Sequence, residues 1–233
     1  SGPLLLNSFQ GVRILFVRDF TQFNIPFYYS RRIAVYSPGR LLLHPRMVCA
    51  RERQGLGDAL TICPEARCTL EEDIVLQSDE VDLRDVFVDL SRVRAFPQIE
   101  TSRNVGIVPN TRTLDHGDPS RLLALYGSLV DGLLRDGYNV YVIQHSQDDT
   151  VLCARIKALH QDDSRVVLMA EDRYCFQYAE LFRRCDFLVA SRYHAIVHAY
   201  RCGVPCVALG WATKYLELLG RLLLRHADDD GVG

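Results

Sequence analysis

From Val105 onward the chain alternates short, β-branched apolar runs with longer segments of helical period, and this alternation narrows the possible folds more than any other feature. The runs are Val105 to Asn110, Tyr138 to Gln144, Arg165 to Leu168, Asp186 to Ala190 and Val204 to Leu209. Each is short and nearly uniformly apolar, as strands covered on both faces are, so five of them make a parallel sheet. Between and after them the spacing predicts helices over Pro119 to Arg135, Asp148 to Leu159, Arg173 to Arg183, Tyr193 to Arg201 and Lys214 to Arg225. Asp118 is an N-cap ahead of a proline at the first helical position, and Gly137 closes that helix before the next strand. Right-handed crossovers then give a doubly wound sheet whose ligand crevice lies at the carboxyl ends of its strands.

The first half carries less pattern. Val12 to Arg18, Ile33 to Tyr36, Met47 to Ala50 and Val86 to Leu90 read as strands, with one short helical stretch at Gln54 to Leu60. Gln98 to Arg103, polar and following Pro97, reads as the linker. The expectation is therefore an α/β protein: an incomplete α/β lobe over residues 1–97 and a Rossmann-like lobe over residues 98–233, the latter ending in a frayed acidic tail from Asp228.

With 233 residues, 48% of them apolar, the chain has enough material for a packed core. Its 27 basic and 29 acidic side chains leave a net charge of -2, so bulk charge draws it to neither nucleic acid nor an anionic membrane. Eight cysteines form no CxxC or CxxH pair and several sit in apolar runs, which reads as buried free thiols in a reducing cytoplasm rather than disulfides or zinc. No run approaches the ~20 apolar residues of a membrane span. The expected location is the cytoplasm, the periphery of a membrane included, with no transmembrane segment.

Chemistry concentrates in Cys185 to Leu219, where a strand leads through Ser191-Arg192-Tyr193-His194 into a helix. The amides at a helix N-terminus attract anions, and an Arg and a His delivered at the same point add charge-assisted donors for phosphate or carboxylate. The competing reading is structural, with Ser191 capping the helix, Arg192 solvated and His194 an interior histidine. Placement at the carboxyl edge of the sheet favours function. His198, one turn on, reads as packing.

The strand, the SRYHA stretch, the apolar helix, then GVPCVALGW and KYLELL resemble the C-terminal signature of the polysaccharide pyruvyl transferase family. Val105 to Asn110 and the Arg51-Glu52 pair after Met47 to Ala50 are similar to further landmarks, so the resemblance spans about residues 47 to 220. It implies a GT-B-like fold of two Rossmann-like lobes and an enzyme moving the pyruvate of phosphoenolpyruvate onto saccharide hydroxyls, without cofactor or metal. The family's Arg-x-His element carries over onto Arg192, Tyr193 and His194, with Arg192 and Tyr193 as binding residues and His194 as general acid. A further family arginine falls closest to Arg112, with Asn110 in a similar place. The implied partners are phosphoenolpyruvate and a saccharide or lipid-linked oligosaccharide acceptor. The family's opening, a strand into a glycine-rich turn, has no counterpart in this sequence.

Other residues near the predicted crevice carry two readings each. Lys214 contacts phosphate or merely opens a helix; Trp211 stacks on a sugar or is a part-buried indole. His145, after the second strand of the lobe, is an acid/base or acceptor contact, or a loop histidine. Arg51, Glu52 and Asp73 read as structural, and Glu217 as pairing with a neighbouring charge. Two rival functions stand beside the first. A GT-B glycosyltransferase would use a nucleotide sugar, with Glu171-Asp172 placed for a ribose. A noncatalytic carbohydrate-binding relative would keep the fold without turnover.

Overall fold

The computed structural model describes residues 4–9, 12–17, 47–73, 75–76, 89, 99–100, 103–170, 175–210 and 215–220. The chain separates into two compact units, residues 1–77 with 217–233, and residues 78–216.

The first unit holds a four-stranded sheet in the order β1 (Leu4–Phe9), β2 (Val12–Val17), β3 (Met47–Ala50), β4 (Cys68–Leu70). β1 and β2 form an antiparallel hairpin, and β3 and β4 join it in parallel register. Helix α1 (Arg53–Ile62) connects β3 to β4 as a parallel crossover requires. Its N-cap, Glu52, makes no side-chain capping bond. The Glu217 carboxylate, distant in sequence, accepts from the Arg53 amide at 2.7 Å instead and puts negative charge at the positive end of the helix. Beside it Arg51 pairs with Glu52 at 2.6 Å and Asp73 at 3.1 Å, all three side chains largely buried.

In the second unit five strands make an all-parallel sheet. They are β5 (Asn104–Val108), β6 (Asn139–Ile143), β7 (Val166–Met169), β8 (Phe187–Ala190) and β9 (Cys206–Ala208), in the order β7-β6-β5-β8-β9. The first strand lies in the middle, so the chain winds outward one way to β7, returns across the sheet, and winds the other way to β9. The order reverses between β5 and β8, which are hydrogen-bonded neighbours from Val105↔Phe187 to Val108↔Ala190. Loops leave the carboxyl ends of these two strands in opposite directions, the place where open sheets of this topology form their ligand crevice.

Helix α2 (Pro119–Arg135) begins as its sequence dictates: the Asp118 carboxylate accepts from the amides of Ser120 and Arg121, Pro119 fills the first turn, and Gly137 follows with φ +81°. Tyr126, Val130 and Leu133, spaced by four and three, form its buried stripe. They pack with Leu152, Cys153 and Ile156 of α3 (Thr150–Ala158) onto Val105, Ile107, Val140, Val142 and Val166 of the sheet. Each fully buried aliphatic side chain there contributes about 1.5–3 kcal/mol. Helices α4 (Cys175–Phe182) and α5 (Tyr193–Arg201) pack against each other, and α5 lies on β8 and β9. On β5, Gly106 is the close approach: a methyl group there would meet Leu188 Cδ2 at 2.5 Å and Ile143 Cδ1 at 2.9 Å.

The five predicted strands and the parallel sheet are present, and the helices predicted over Pro119 to Arg135 and Tyr193 to Arg201 have those ends. Other boundaries shift by one or two residues; the shift that matters is at Gln147–Asp149, which is a 3-10 turn, so that the α-helix expected from Asp148 starts at Thr150. The predicted strand Ile33 to Tyr36 lies outside the described residues, as does Val86 to Leu90 apart from Asp89, and of the predicted helix from Lys214 the described residues 215–220 are helical. β1 and β4 had no counterpart in the sequence reading.

Candidate active site

Ser191 directly follows β8 and meets the loop leaving β5. It is 1% exposed, and every polar group it has is engaged. Its amide donates to Val108 O (2.8 Å), and its carbonyl accepts from Asn110 Nδ2 (3.1 Å) and Tyr215 Oη (2.9 Å). Its hydroxyl pairs with Tyr126 Oη at 3.2 Å. Burial pushes both tyrosine hydroxyls up to about 12, so each stays protonated. Ser191 therefore does not cap α5, as one sequence reading had it; it anchors the residue that follows.

That residue, Arg192, is the N-cap of α5 and makes no capping bond. Its guanidinium is held edge-on by the carboxylate of Asp149, with Nε 2.7 Å from Oδ2 and Nη2 2.5 Å from Oδ1. Asp149 is fully buried, and its Oδ1 also accepts from the Thr111 amide at 2.9 Å. Thr111 Oγ1 donates to the Asp148 carbonyl at 2.8 Å, a second tie between the same two loops. One carboxylate thus joins the loop after β5, the turn after β6 and the N-terminus of α5. This use of Asp149 also explains why α3 starts late: the carboxylate is turned into the site instead of capping the helix.

Asn110 is buried and used within the protein: its Oδ1 accepts from the Arg112 amide (2.9 Å) while its Nδ2 binds Ser191 O. Arg112 itself projects into solvent from the 3-10 turn Thr111–His116, its side chain 68% exposed and 3.6 Å from Asp115. Arg112 and Asn110, two positions apart in sequence, are therefore in very different settings. Lys214 and Trp211 lie outside the described residues, as do Glu171 and Asp172.

Three histidines gather at the same edge. His194, half-buried in the first turn of α5, has its ring edge-on to Tyr193 with centroids 5.5 Å apart. His145, after β6, lies against Tyr178 with ring centroids 4.6 Å apart and planes tilted by 34°, and is 6.3 Å from buried His198. The Tyr178 hydroxyl donates to the Gln144 carbonyl at 2.6 Å and holds that pair of rings to the strand end. The His145 Nε2 atom is buried with no hydrogen-bond partner. Burial, then the charges of His198, His194 and Arg192, push His145 down to about 3. His145 is thus a neutral imidazole at neutral pH, suited to shaping the site and not to delivering a proton there.

Asp149, Tyr126 and Tyr215 escaped the sequence reading. Gln147-Asp148-Asp149-Thr150 before an apolar stretch reads as an ordinary acidic helix start, and Tyr126 as one of a buried stripe. Among the described residues no group of three or more His, Cys, Asp or Glu is arranged to hold a metal. Cys49, Cys63, Cys68, Cys153, Cys185, Cys202 and Cys206 are free thiols.

The arrangement is a neutralised, prepositioned guanidinium beside a half-buried histidine at the start of a nine-residue helix, in the crevice where the sheet order reverses. It suits a small anion that must be oriented near a proton donor. No curated protein matches the chain. A family model described as polysaccharide pyruvyl transferase matches residues 41–213, well over half of the chain and the whole of this crevice up to β9.

Proposed function

Because the chain belongs to the polysaccharide pyruvyl transferase family, we propose that it moves the pyruvyl group of phosphoenolpyruvate onto two hydroxyls of a saccharide as a ketal, with the donor in the crevice between β5 and β8. The observation that carries the reading is Arg192 held at the N-cap of α5 next to His194. Phosphoenolpyruvate has a carboxylate and a phosphate flanking an enol carbon. A guanidinium has five N–H donors, and Asp149 takes one from Nε and one from Nη2. The other donors, with the positive end of the α5 dipole, serve the anion.

His194, carrying a proton, gives it to the methylene carbon of the donor, which becomes the methyl group, and the central carbon becomes cationic. An acceptor hydroxyl attacks that carbon, and its proton passes to the departing phosphate. Phosphate leaves, a second hydroxyl closes the ketal, and its proton returns to the histidine. The products are one ketal and one inorganic phosphate. Tyr193, buried at the start of the helix, sets its ring edge-on to that of His194. Arg112, Lys214 and Trp211 belong to the proposal as outer contacts, the first two for phosphate and the indole for a sugar ring. Asn110 and His145 shape the crevice from the ends of β5 and β6.

The acceptor in this reading is a saccharide, free or lipid-linked. No described helix is long and apolar enough to cross a membrane. A GT-B-like organisation with a smaller lobe, residues 1–97, and a donor lobe, residues 98–233, and action in the cytoplasm complete the proposal; each unit has parallel strands, as such lobes require. Family membership does not favour a nucleotide-sugar glycosyltransferase.

The test is phosphate release from phosphoenolpyruvate over a panel of hexosides, with His194→Asn beside the parent. The expected result is acceptor-dependent release that falls by about 10²–10⁴ in the variant while phosphoenolpyruvate binding stays within a few-fold. Undiminished release by His194→Asn would remove that residue as the acid. Donor binding with no release on any acceptor would favour the noncatalytic relative.

A further inference from the structure

We propose that Asp149 is the positioning residue of the donor site: it sets the plane of the Arg192 guanidinium before the donor arrives, and it couples that plane to the loop after β5. The proposal rests on the reading of the crevice as a phosphoenolpyruvate site.

The observations are geometric. Asp149 has no exposed surface, and both of its oxygens bind Arg192, in the two-pronged arrangement that only a coplanar carboxylate and guanidinium permit. A lone buried carboxylate is costly to remove from water, and an arginine is an expensive way to solve that problem if packing is the only purpose, since apolar side chains of the same volume serve stability as well or better. Arg192 is not sealed in with its partner: its side chain keeps 20% of its surface, against none for Asp149. One end of the pair is interior and the other reaches the crevice. The third bond, from the Thr111 amide to Oδ1, adds the loop that also carries Arg112 and leaves the neighbouring strand. Ser191, tied on all its polar groups, prevents the backbone of Arg192 from answering a loss of Asp149 by sliding. A long, flexible side chain with several rotamers is thereby reduced to one pose, and a ligand that binds it does not have to order it.

Asp149→Asn is the informative change. It keeps the shape and an acceptor for the Thr111 amide, and it cannot accept two charge-assisted bonds from the guanidinium. Phosphoenolpyruvate is titrated calorimetrically into the parent, Asp149→Asn, Arg192→Gln and the double variant, each checked by thermal melting. The expectation is that Asp149→Asn and Arg192→Gln each weaken binding about tenfold or more, and that the double variant is no weaker than Arg192→Gln by more than about twofold, because Asp149 acts through Arg192. A merely structural role predicts losses that multiply. Multiplying losses, or an Asp149→Asn protein that binds as the parent does, would overturn the inference while leaving the donor reading in place. Absence of phosphoenolpyruvate binding by the parent would overturn both. Should Asp149→Asn not fold, the parent protein decides the matter by nitrogen-15 NMR. A held guanidinium gives a slowly exchanging Arg192 Nε–H signal without ligand, and a signal that sharpens only after phosphoenolpyruvate is added would contradict the proposal.

Discussion

His145 shows how one buried side chain records the electrostatics of the crevice. Its imidazole is pushed down to about 3 by burial first and by His198, His194 and Arg192 after it. The unfolded chain takes up a proton near the ordinary value of 6.5 and the folded chain does not, so the folded state loses stability as pH falls below 6.5 toward 3. The slope for one such proton is on the order of 1.4 kcal/mol per pH unit. His145→Phe keeps a ring against Tyr178, removes the proton uptake and removes the unpartnered Nε2. Denaturant titrations between pH 6.5 and 5 are therefore expected to show a flatter decline for His145→Phe than for the parent, with no loss of stability at pH 7. Equal slopes would mean that His145 is not the group resisting protonation. At this scale the sequence says little: Gln144-His145-Ser146 marks the end of a strand, but the ring's surroundings come from α4 and α5, far along the chain.

Among elements, the second unit was legible because its local signals agree. Asp118, Pro119 and Gly137 state the ends of α2, and apolar runs state the strands. Asp118→Ala is expected to cost about 0.5–2 kcal/mol through loss of the bonds to the Ser120 and Arg121 amides, measured as a shift in the denaturation midpoint. Where an element's end depends on a distant partner, the local signal misleads. Asp149 looks like part of a helix start and is instead committed to Arg192, and α1 takes its carboxylate from Glu217. Gly106 belongs to the same class. Nothing in Val105-Gly106-Ile107 says why glycine is needed, yet Leu188 and Ile143, both fully buried, leave no room for a methyl group. Gly106→Ala is expected to destabilise by about 1–3 kcal/mol through overpacking, read from the same midpoint; a neutral result would show that the two side chains yield freely.

For the molecule as a whole, a doubly wound parallel sheet was foreseeable from the alternation of strands and helices, whereas the place of its reversal, between β5 and β8, is known only from the strand order of the structure. That Arg192 and His194 lie together at the carboxyl edge of this sheet was legible because both sit within one strand-to-helix turn. The supporting residues were not, because Asp149, Tyr126 and Tyr215 reach Ser191 and Arg192 from segments 24 to 65 positions away. Net charge of -2 offers no general pull on an anionic donor, so the proposed function requires the affinity to come from the residues around Arg192. The most direct measurement is calorimetric titration of phosphoenolpyruvate, with a UDP-sugar in parallel, into the parent protein and Arg192→Gln. The prediction is saturable phosphoenolpyruvate binding at micromolar to millimolar strength, weakened about tenfold or more in the variant by loss of a charge-assisted contact, with no binding of the UDP-sugar. Binding of the UDP-sugar alone, or phosphoenolpyruvate binding indifferent to Arg192, would contradict it.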